Sequence, residues 1–237
     1  MKYRLELDDL GPYARVTNLL GWVESGNRVL EVGCHCGDIT RLLKEVKKCS
    51  VTAVEIDSEA SKYASRYCVR LVVGDVQDET VWERVRRSKY DVVILADVLE
   101  HLLYPGVVLR RCVEVLRPGG CVIVSLPNIA HWTIRLSLMK GMFDYTETGI
   151  LDSTHLRFYT VKTARELLMN NGLEIENMIP VNPQLPGHRL LISRVSRRLF
   201  RCDLVLQGLC LKVFPKVFAL QILFRARRSQ ESGELCL

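Results

Sequence analysis

Residues 28–57 read RVLEVGCHCGDITRLLKEVKKCSVTAVEID. Arg28–Val32 is a short aliphatic run bounded by turn residues, which predicts a buried strand. Gly33-Cys34-His35-Cys36-Gly37 is a turn with glycine at both ends. Ile39, Leu42, Leu43 and Val46 then recur at helical spacing, and Val51–Glu55 predicts a second buried strand that ends on a carboxylate. Strand, glycine turn, helix and strand make a βαβ unit with its ligand site at the carboxyl edge. A side chain in such a turn would block close approach of a ligand to the backbone. The free N–H groups at the start of the following helix suit an anionic group. Glu55 can accept two hydrogen bonds from a ribose diol, so the unit fits a nucleoside.

The glycine spacing separates the kinds of nucleoside. A dinucleotide site prefers G-x-G-x-x-G, whose third glycine packs helix on strand. Here the pattern is Glu31-x-Gly33-x-x-x-Gly37 without a third glycine. A nicotinamide oxidoreductase is therefore disfavoured.

Downstream, Ser58–Tyr67 predicts a helix with Ser58 as its cap, and Val69–Val73 a third strand that runs into Gly74-Asp75-Val76. Trp82–Arg87 predicts a basic, exposed helix. Tyr90–Leu95 is a fourth strand, followed by Ala96-Asp97-Val98-Leu99-Glu100-His101. Val107–Leu116 is helical, Arg117-Pro118-Gly119-Gly120 stops it, and Cys121–Leu126 is a fifth strand. Upstream, residues 11–24 predict an amphipathic helix carrying Tyr13, Val16, Leu19, Leu20 and Val23 on one side.

VLEVGxxxG, VEID, GD, YDVVILADVLEH and LRPGG stand in the order and at the spacings of the class I S-adenosylmethionine (SAM)-dependent methyltransferases, which residues 28–126 resemble. The resemblance implies an α/β, Rossmann-like, doubly wound sheet of seven strands, mostly parallel with an antiparallel last strand. It also implies SAM as the cofactor. The Gly33–Gly37 backbone, Cys34 included, would lie along the methionine portion, with Glu31 near its amino group. Glu55, with Ile56 beside it, would take the ribose hydroxyls. Asp75 and Val76 would flank the adenine, and Ala96 and Asp97 would reach the methionine end. Where many members have a middle glycine in the turn this chain has His35, so its side chain must point away from the ligand or the turn must sit further out.

The second half extends the pattern. Ile134–Met142 predicts a helix, Thr160 caps another through Met169, and Leu173–Val181 is a sixth strand. Residues 217–227 predict the antiparallel last strand, after a basic helical insertion at 186–216. One domain of 237 residues is expected: core 28–126, acceptor-side and lid segments 127–172, then the insertion and last strand. The PN-x-x-H and LD-x-THLRF-x-T segments are similar to those of the ubiquinone-biosynthesis O-methyltransferases, and the chain also resembles the methionine-biosynthesis accessory proteins.

Two clusters could serve transfer to a hydroxyl, which needs a base or a metal to remove the proton. His155 lies between Asp152 and Arg157, and Asp152 could orient its imidazole; a structural Asp–His–Arg knot is the alternative. Asp97-x-x-Glu100-His101 is the second cluster. In the ubiquinone-related enzymes that pattern is associated with a divalent ion; otherwise Glu100 and His101 cap and pack the helix. His155, His101 and Asp152 are the catalytic candidates. A divalent metal is allowed but not favoured, and no metal ligand is assigned. Asn128 and His131 are lesser candidates, and Trp132, Phe143 and Tyr145 could form an apolar wall. The Cys34-His35-Cys36 turn has the wrong spacing for zinc and no partner pair.

The net charge of +6 is carried near the C-terminus, where residues 186–228 hold ten Lys/Arg against Asp203 alone. That region could hold an anionic acceptor, lie on anionic lipid or simply be solvated. Nucleic acid is not expected, because the basic residues lack interleaved aromatics. No apolar run approaches the ~20 residues of a spanning helix. Nine scattered cysteines and a polar opening Met1–Glu6 imply reduced thiols in the cytoplasm, with any membrane contact confined to the surface. A small-molecule acceptor is expected. The competing class is a non-catalytic protein of the same fold that acts through protein contacts.

Overall fold

The computed structural model describes residues 14–183, 209 and 213–229. Its elements in chain order are α1 (Arg15–Gly21), β1 (Arg28–Val32), α2 (Asp38–Glu45), β2 (Ser50–Glu55), α3 (Ser58–Ala64), β3 (Arg70–Val73), α4 (Glu79–Val85) and β4 (Tyr90–Ala96). A 3-10 turn, Leu99–His101, leads to α5 (Pro105–Val115), β5 (Leu116–Pro127), α6 (Trp132–Met139), α7 (Val161–Met169), β6 (Leu173–Pro183) and β7 (Ala219–Arg228). A helical turn at Pro215–Phe218 precedes β7.

The strands form one sheet in the order β3-β2-β1-β4-β5-β7-β6. The β1–β2, β2–β3, β1–β4 and β4–β5 pairs are parallel, whereas β7 lies antiparallel between β5 and β6. The expected seven-stranded, mostly parallel sheet is thus present. From β1 the chain winds outward to β2 and β3, then returns to place β4 on the other side. That reversal opens a crevice at the carboxyl ends of β1 and β4.

Alternation along each strand feeds both faces. Leu30, Val32 and Val93 join Trp82, Leu109 and Leu168 of α4, α5 and α7 on one side. Val29, Val51 and Ile94 join Val16 and Leu19 of α1 and Ile39 and Leu43 of α2 on the other. Each fully buried Leu or Val contributes about 1.5–3 kcal/mol relative to exposure.

Several expectations change in detail. The cap of α3 is Asp57, whose side chain accepts from the Glu59 and Ala60 N–H groups; Ser58 is the first helical residue. A carboxylate at that position also complements the helix dipole. The helix over 79–85 is not an exposed one, because Val81, Trp82 and Val85 are buried. Thr160 caps α7 as expected, in a reciprocal capping box with Thr163. Most of the basic insertion expected at 186–216 lies outside the described residues. None of the described helices is long and apolar enough to cross a membrane.

Candidate functional site

A cavity of about 820 Å³ lies in the crevice, within the usual range for small-molecule sites. Its walls include Glu31, Gly33, Cys34, Glu55, Ile56, Asp75, Val76, Ala96 and Asp97, together with His101, Asp152 and His155. Of the donor-site residues and the three catalytic candidates His155, His101 and Asp152, Gly37 alone does not line it. Gly37 caps α2 with φ of 82°, and a Cβ there would come within 2.6 Å of the Ala64 backbone. Its place is the packing of the turn against α3.

The glycine turn is sewn to β2. Gly33 N–H donates to the Val54 carbonyl at 2.8 Å, and the His35 N–H donates to Glu55 Oε2 at 2.6 Å. Glu55 Oε1 accepts from the Ile56 and Asp57 N–H groups, both at 3.0 Å. A carboxylate fixed by three backbone donors is pre-set in position rather than free to swing. His35 itself has φ of 46°, in the left-handed region where glycine is at ease. The residue is part of the cavity wall.

Glu31 is buried, and the Thr40 hydroxyl donates to it at 2.7 Å. Burial pushes its carboxyl up to about 7, the Thr40 hydrogen bond opposing and the Glu55 charge adding. At β3, Asp75 Oδ1 accepts from the Gln77 N–H at 2.8 Å, and the Val76 carbonyl accepts from the indole of buried Trp82 at 2.6 Å. Trp82 thus anchors the Asp75–Val76 loop, a role not visible in the sequence.

Asp97 follows β4 with φ of 57°. Its carboxylate accepts from the Ser125 hydroxyl at 2.6 Å and from the Gln221 amide at 2.9 Å, and it pairs with the Arg15 guanidinium at 2.8 Å. Arg15 and Gln221 also line the cavity. Sequence reasoning missed both, although a polar Gln inside the apolar run of β7 was a signal.

The lid segment is clamped onto the 3-10 turn. The Leu156 and Arg157 N–H groups donate to the Glu100 carbonyl at 2.8 and 3.1 Å, and the Arg157 side chain donates to the carbonyls of Leu102 and Leu103. His155 is nearly buried, and its Nδ1 lies 3.0 Å from the Ile150 carbonyl. A carbonyl can only accept, so the proton sits on Nδ1 and Nε2 keeps its lone pair. Burial, then the repulsion of His101, holds this imidazole below its usual range. Asp152 accepts from the N–H and hydroxyl of Thr154 at 2.9 and 2.7 Å, so the Ile150 carbonyl, not Asp152, is the hydrogen-bond partner of His155 Nδ1. His101 and His155 stack edge to face with centroids 4.8 Å apart.

Glu100 is 1 % exposed, and among the described residues neither of its carboxyl oxygens has a hydrogen-bond partner. Burial, with the Asp97 charge adding, pushes its pKa well above the usual carboxylate range. One ligand atom each from Glu100, His101 and His155 lie within 4.8 Å of one another. Two imidazoles and an unpartnered carboxyl are a donor set that a divalent ion would fit.

The remaining candidates are structural. Asn128 is fully buried and donates to the carbonyls of Lys216 and Ala219. His131 caps α6, with Nδ1 2.8 Å from the Thr133 hydroxyl. Phe143, Tyr145 and Phe158 form an aromatic group outside the cavity lining, with Phe143 5.7 Å from Tyr145 and 5.6 Å from Phe158. Trp132 is also absent from the lining.

Residues 14–200 match the family model described as methionine biosynthesis protein MetW. Among curated proteins, the chain is similar to the ubiquinone biosynthesis O-methyltransferase of Bradyrhizobium sp. (strain ORS 278), 29% identical over 157 residues that cover 64% of this chain and 60% of that one. The Bradyrhizobium diazoefficiens enzyme of the same name is 28% identical over 172 residues, covering 68% of this chain and 62% of that one. The match therefore spans under two thirds of the length of these two relatives. Among solved structures, an Archaeoglobus fulgidus SAM-dependent methyltransferase superposes with a TM-score of 0.63 at 17% identity, covering 90% of this chain and 91% of that one. Magnesium protoporphyrin IX methyltransferase from Synechocystis PCC 6803, with bound S-adenosylhomocysteine (SAH), gives 0.58 at 15% identity, covering 96% and 90%. At such identities these two structures establish the fold.

Proposed function

The chain belongs to the MetW family of methionine biosynthesis proteins, and from that premise we propose that it is a SAM-dependent methyltransferase acting on a hydroxyl oxygen of a small molecule. The observation that carries this reading is Glu55: a buried carboxylate at the end of β2, held by the His35, Ile56 and Asp57 N–H groups on the wall of the same cavity as Asp75. A ribose diol fits the first carboxylate and an adenine amino group the second. Glu31 and Asp97 serve the methionine end, Asp97 being fixed there by Arg15, Ser125 and Gln221. Gly33, Cys34, Ile56, Val76 and Ala96 complete the donor site.

When bound, the donor supplies an electrophilic methyl group on a sulfonium. The protein then has to align the acceptor and take up its proton. Alignment of the reactants can account for about 7–11 kcal/mol of the barrier at best. His155 Nε2, on a ring kept neutral by burial, is the proton acceptor; His101 and Asp152 hold the lid around it. In the alternative arrangement Glu100, His101 and His155 would hold a divalent ion that lowers the pKa of a coordinated hydroxyl, and His155 Nε2 would then be a ligand rather than the base. A quinone precursor, a sugar or a lipid-linked glycan has the required hydroxyl, and the ubiquinone O-methyltransferase relatives weigh toward the first. Scattered cysteines weigh toward a cytoplasmic place of work, and the basic residues of 186–228 would suit contact with an anionic membrane surface, with a solvated face as the alternative.

The second reading is a non-catalytic protein of this fold that acts through protein contacts. His35, at φ of 46° in the turn where the resemblance to class I methyltransferases implies a glycine, favours it. Methyl-labelled SAM incubated with the protein and a small-molecule extract, with and without Mg²⁺, separates the two. Label transferred to a small molecule, and lost in His155→Ala, supports the enzyme. SAM bound without transfer supports the partner protein.

A further inference from the structure

We propose that the acceptor end of the cavity is built for a neutral or cationic group that donates a hydrogen bond, and that Glu100 is the residue that receives it. This rests on the methyl-transfer reading and narrows its acceptor, excluding phosphate and carboxylate at the reacting end.

Three observations converge. Glu100 lines the cavity, is 1 % exposed, and has both carboxyl oxygens without a partner among the described residues. Buried polar groups are almost always paired, so an orphaned carboxyl on a cavity wall marks where a ligand donor belongs. Its neighbours are already engaged: Asp97 by Arg15, Ser125 and Gln221, and Asp152 by Thr154. Glu100 is thus the carboxyl left for the acceptor among these three.

The charge of the wall points the same way. Its described residues include seven Asp or Glu and one Arg, whose guanidinium is 2.8 Å from Asp97; leaving out Glu31 and Glu100, which burial favours in the neutral form, five acids still face one Arg. A bound sulfonium adds one positive charge and leaves the excess negative. An anionic head group would lie among carboxyls, in a recess where water screens poorly. A hydroxyl or an ammonium meets acceptors instead. Besides Glu100, His155 has its Nδ1 against the Ile150 carbonyl, so Nε2 of that ring is the acceptor that remains.

The test uses the full chain, saturated with SAH and treated with EDTA. Four probes share a phenyl ring: catechol, benzylamine, benzoate and phenyl phosphate. Binding is followed by saturation-transfer NMR and titration. The expected result is measurable binding of catechol and benzylammonium, with benzoate and phenyl phosphate at least tenfold weaker. Glu100→Gln, with its SAH affinity unchanged, should weaken benzylammonium at least fivefold and leave the anions no weaker. Should that variant not fold, the wild-type ranking alone decides. Anions that bind as well as the amine and the catechol overturn the proposal, as does an unchanged ranking in Glu100→Gln. Catechol binding that appears only after Mg²⁺ is added also overturns it, by placing an ion between Glu100 and the acceptor. If SAH itself fails to bind, the donor-site reading falls and this assignment with it, an outcome identified by the missing SAH signal.

Discussion

The carboxylate of Glu55 accepts a hydrogen bond from the backbone N–H of His35 at 2.6 Å, across twenty residues of sequence. One side chain therefore fixes the shape of the glycine turn and offers acceptors to a ribose. Glu55→Ala removes the acceptor of three backbone N–H groups. Leaving them unpaired should cost about 1–3 kcal/mol, a fall in Tm of roughly 2–4 °C per kcal/mol for a chain of this size. SAM affinity should fall at least tenfold. Glu55→Gln, which keeps a carbonyl, should recover stability better than affinity. Calorimetric titration beside thermal unfolding separates the two effects.

Gly37→Ala tests the turn from its other end. The new Cβ would stand 2.6 Å from Ala64 Cα and 2.8 Å from its Cβ, at φ of 82°. Backbone cannot yield as a flexible side chain does. Overpacking costs about 1–3 kcal/mol, and the left-handed conformation about 1–2 more. Denaturant unfolding should show a loss of roughly 2–5 kcal/mol from the two together, and no loss would place α3 further from the turn.

Glu31 makes stability depend on pH. Its carboxyl is raised from 4.5 to about 7 by burial, so the folded state holds a proton that the unfolded state has released in between. Stability from this group is complete below about 4.5 and declines as pH rises to about 7, beyond which it is flat. The full effect is about 3 kcal/mol, from 1.36 kcal/mol per pH unit. Glu31→Gln should flatten that segment of a Tm profile between pH 4.5 and 7.5. If Glu31 faces the ammonium of SAM, wild-type affinity should rise across the same interval, because the ligand favours the ionised carboxylate.

Much of this was legible in the sequence because it is local. The aliphatic run 28–32, the glycine turn and the terminal Glu55 fall within one βαβ unit, and their spacing alone determines which groups meet at its edge. The seven-residue helix at 79–85 misled, since its basic flank masks the short apolar stripe of Val81, Trp82 and Val85. The brace on Asp97 was illegible for a different reason. Gln221 lies 124 residues away and arrives only because β7 inserts antiparallel between β5 and β6. The partner of His155 was also hidden, since backbone carbonyls such as that of Ile150 leave no trace in residue type. The basic expectation for 186–216 concerns residues mostly outside the described ones.

Asp75 separates the two nucleosides that a βαβ unit can hold. Asp75→Ala should lower SAM affinity about three- to tenfold, the worth of one hydrogen bond near 1 kcal/mol. It should change Tm little, because its carboxylate hydrogen-bonds to Gln77 of the same loop. NAD should bind neither protein. Tight NAD binding that ignores the substitution would reverse the assignment of the crevice.

The central claim is that Glu55 and Asp75 frame a SAM site. Isothermal titration of SAM and SAH into the wild-type protein and Glu55→Ala tests it most directly. Micromolar binding by wild type, about −8 kcal/mol, with at least a tenfold loss in the variant, is the result this account predicts. No binding of either ligand to a folded wild-type protein would contradict it.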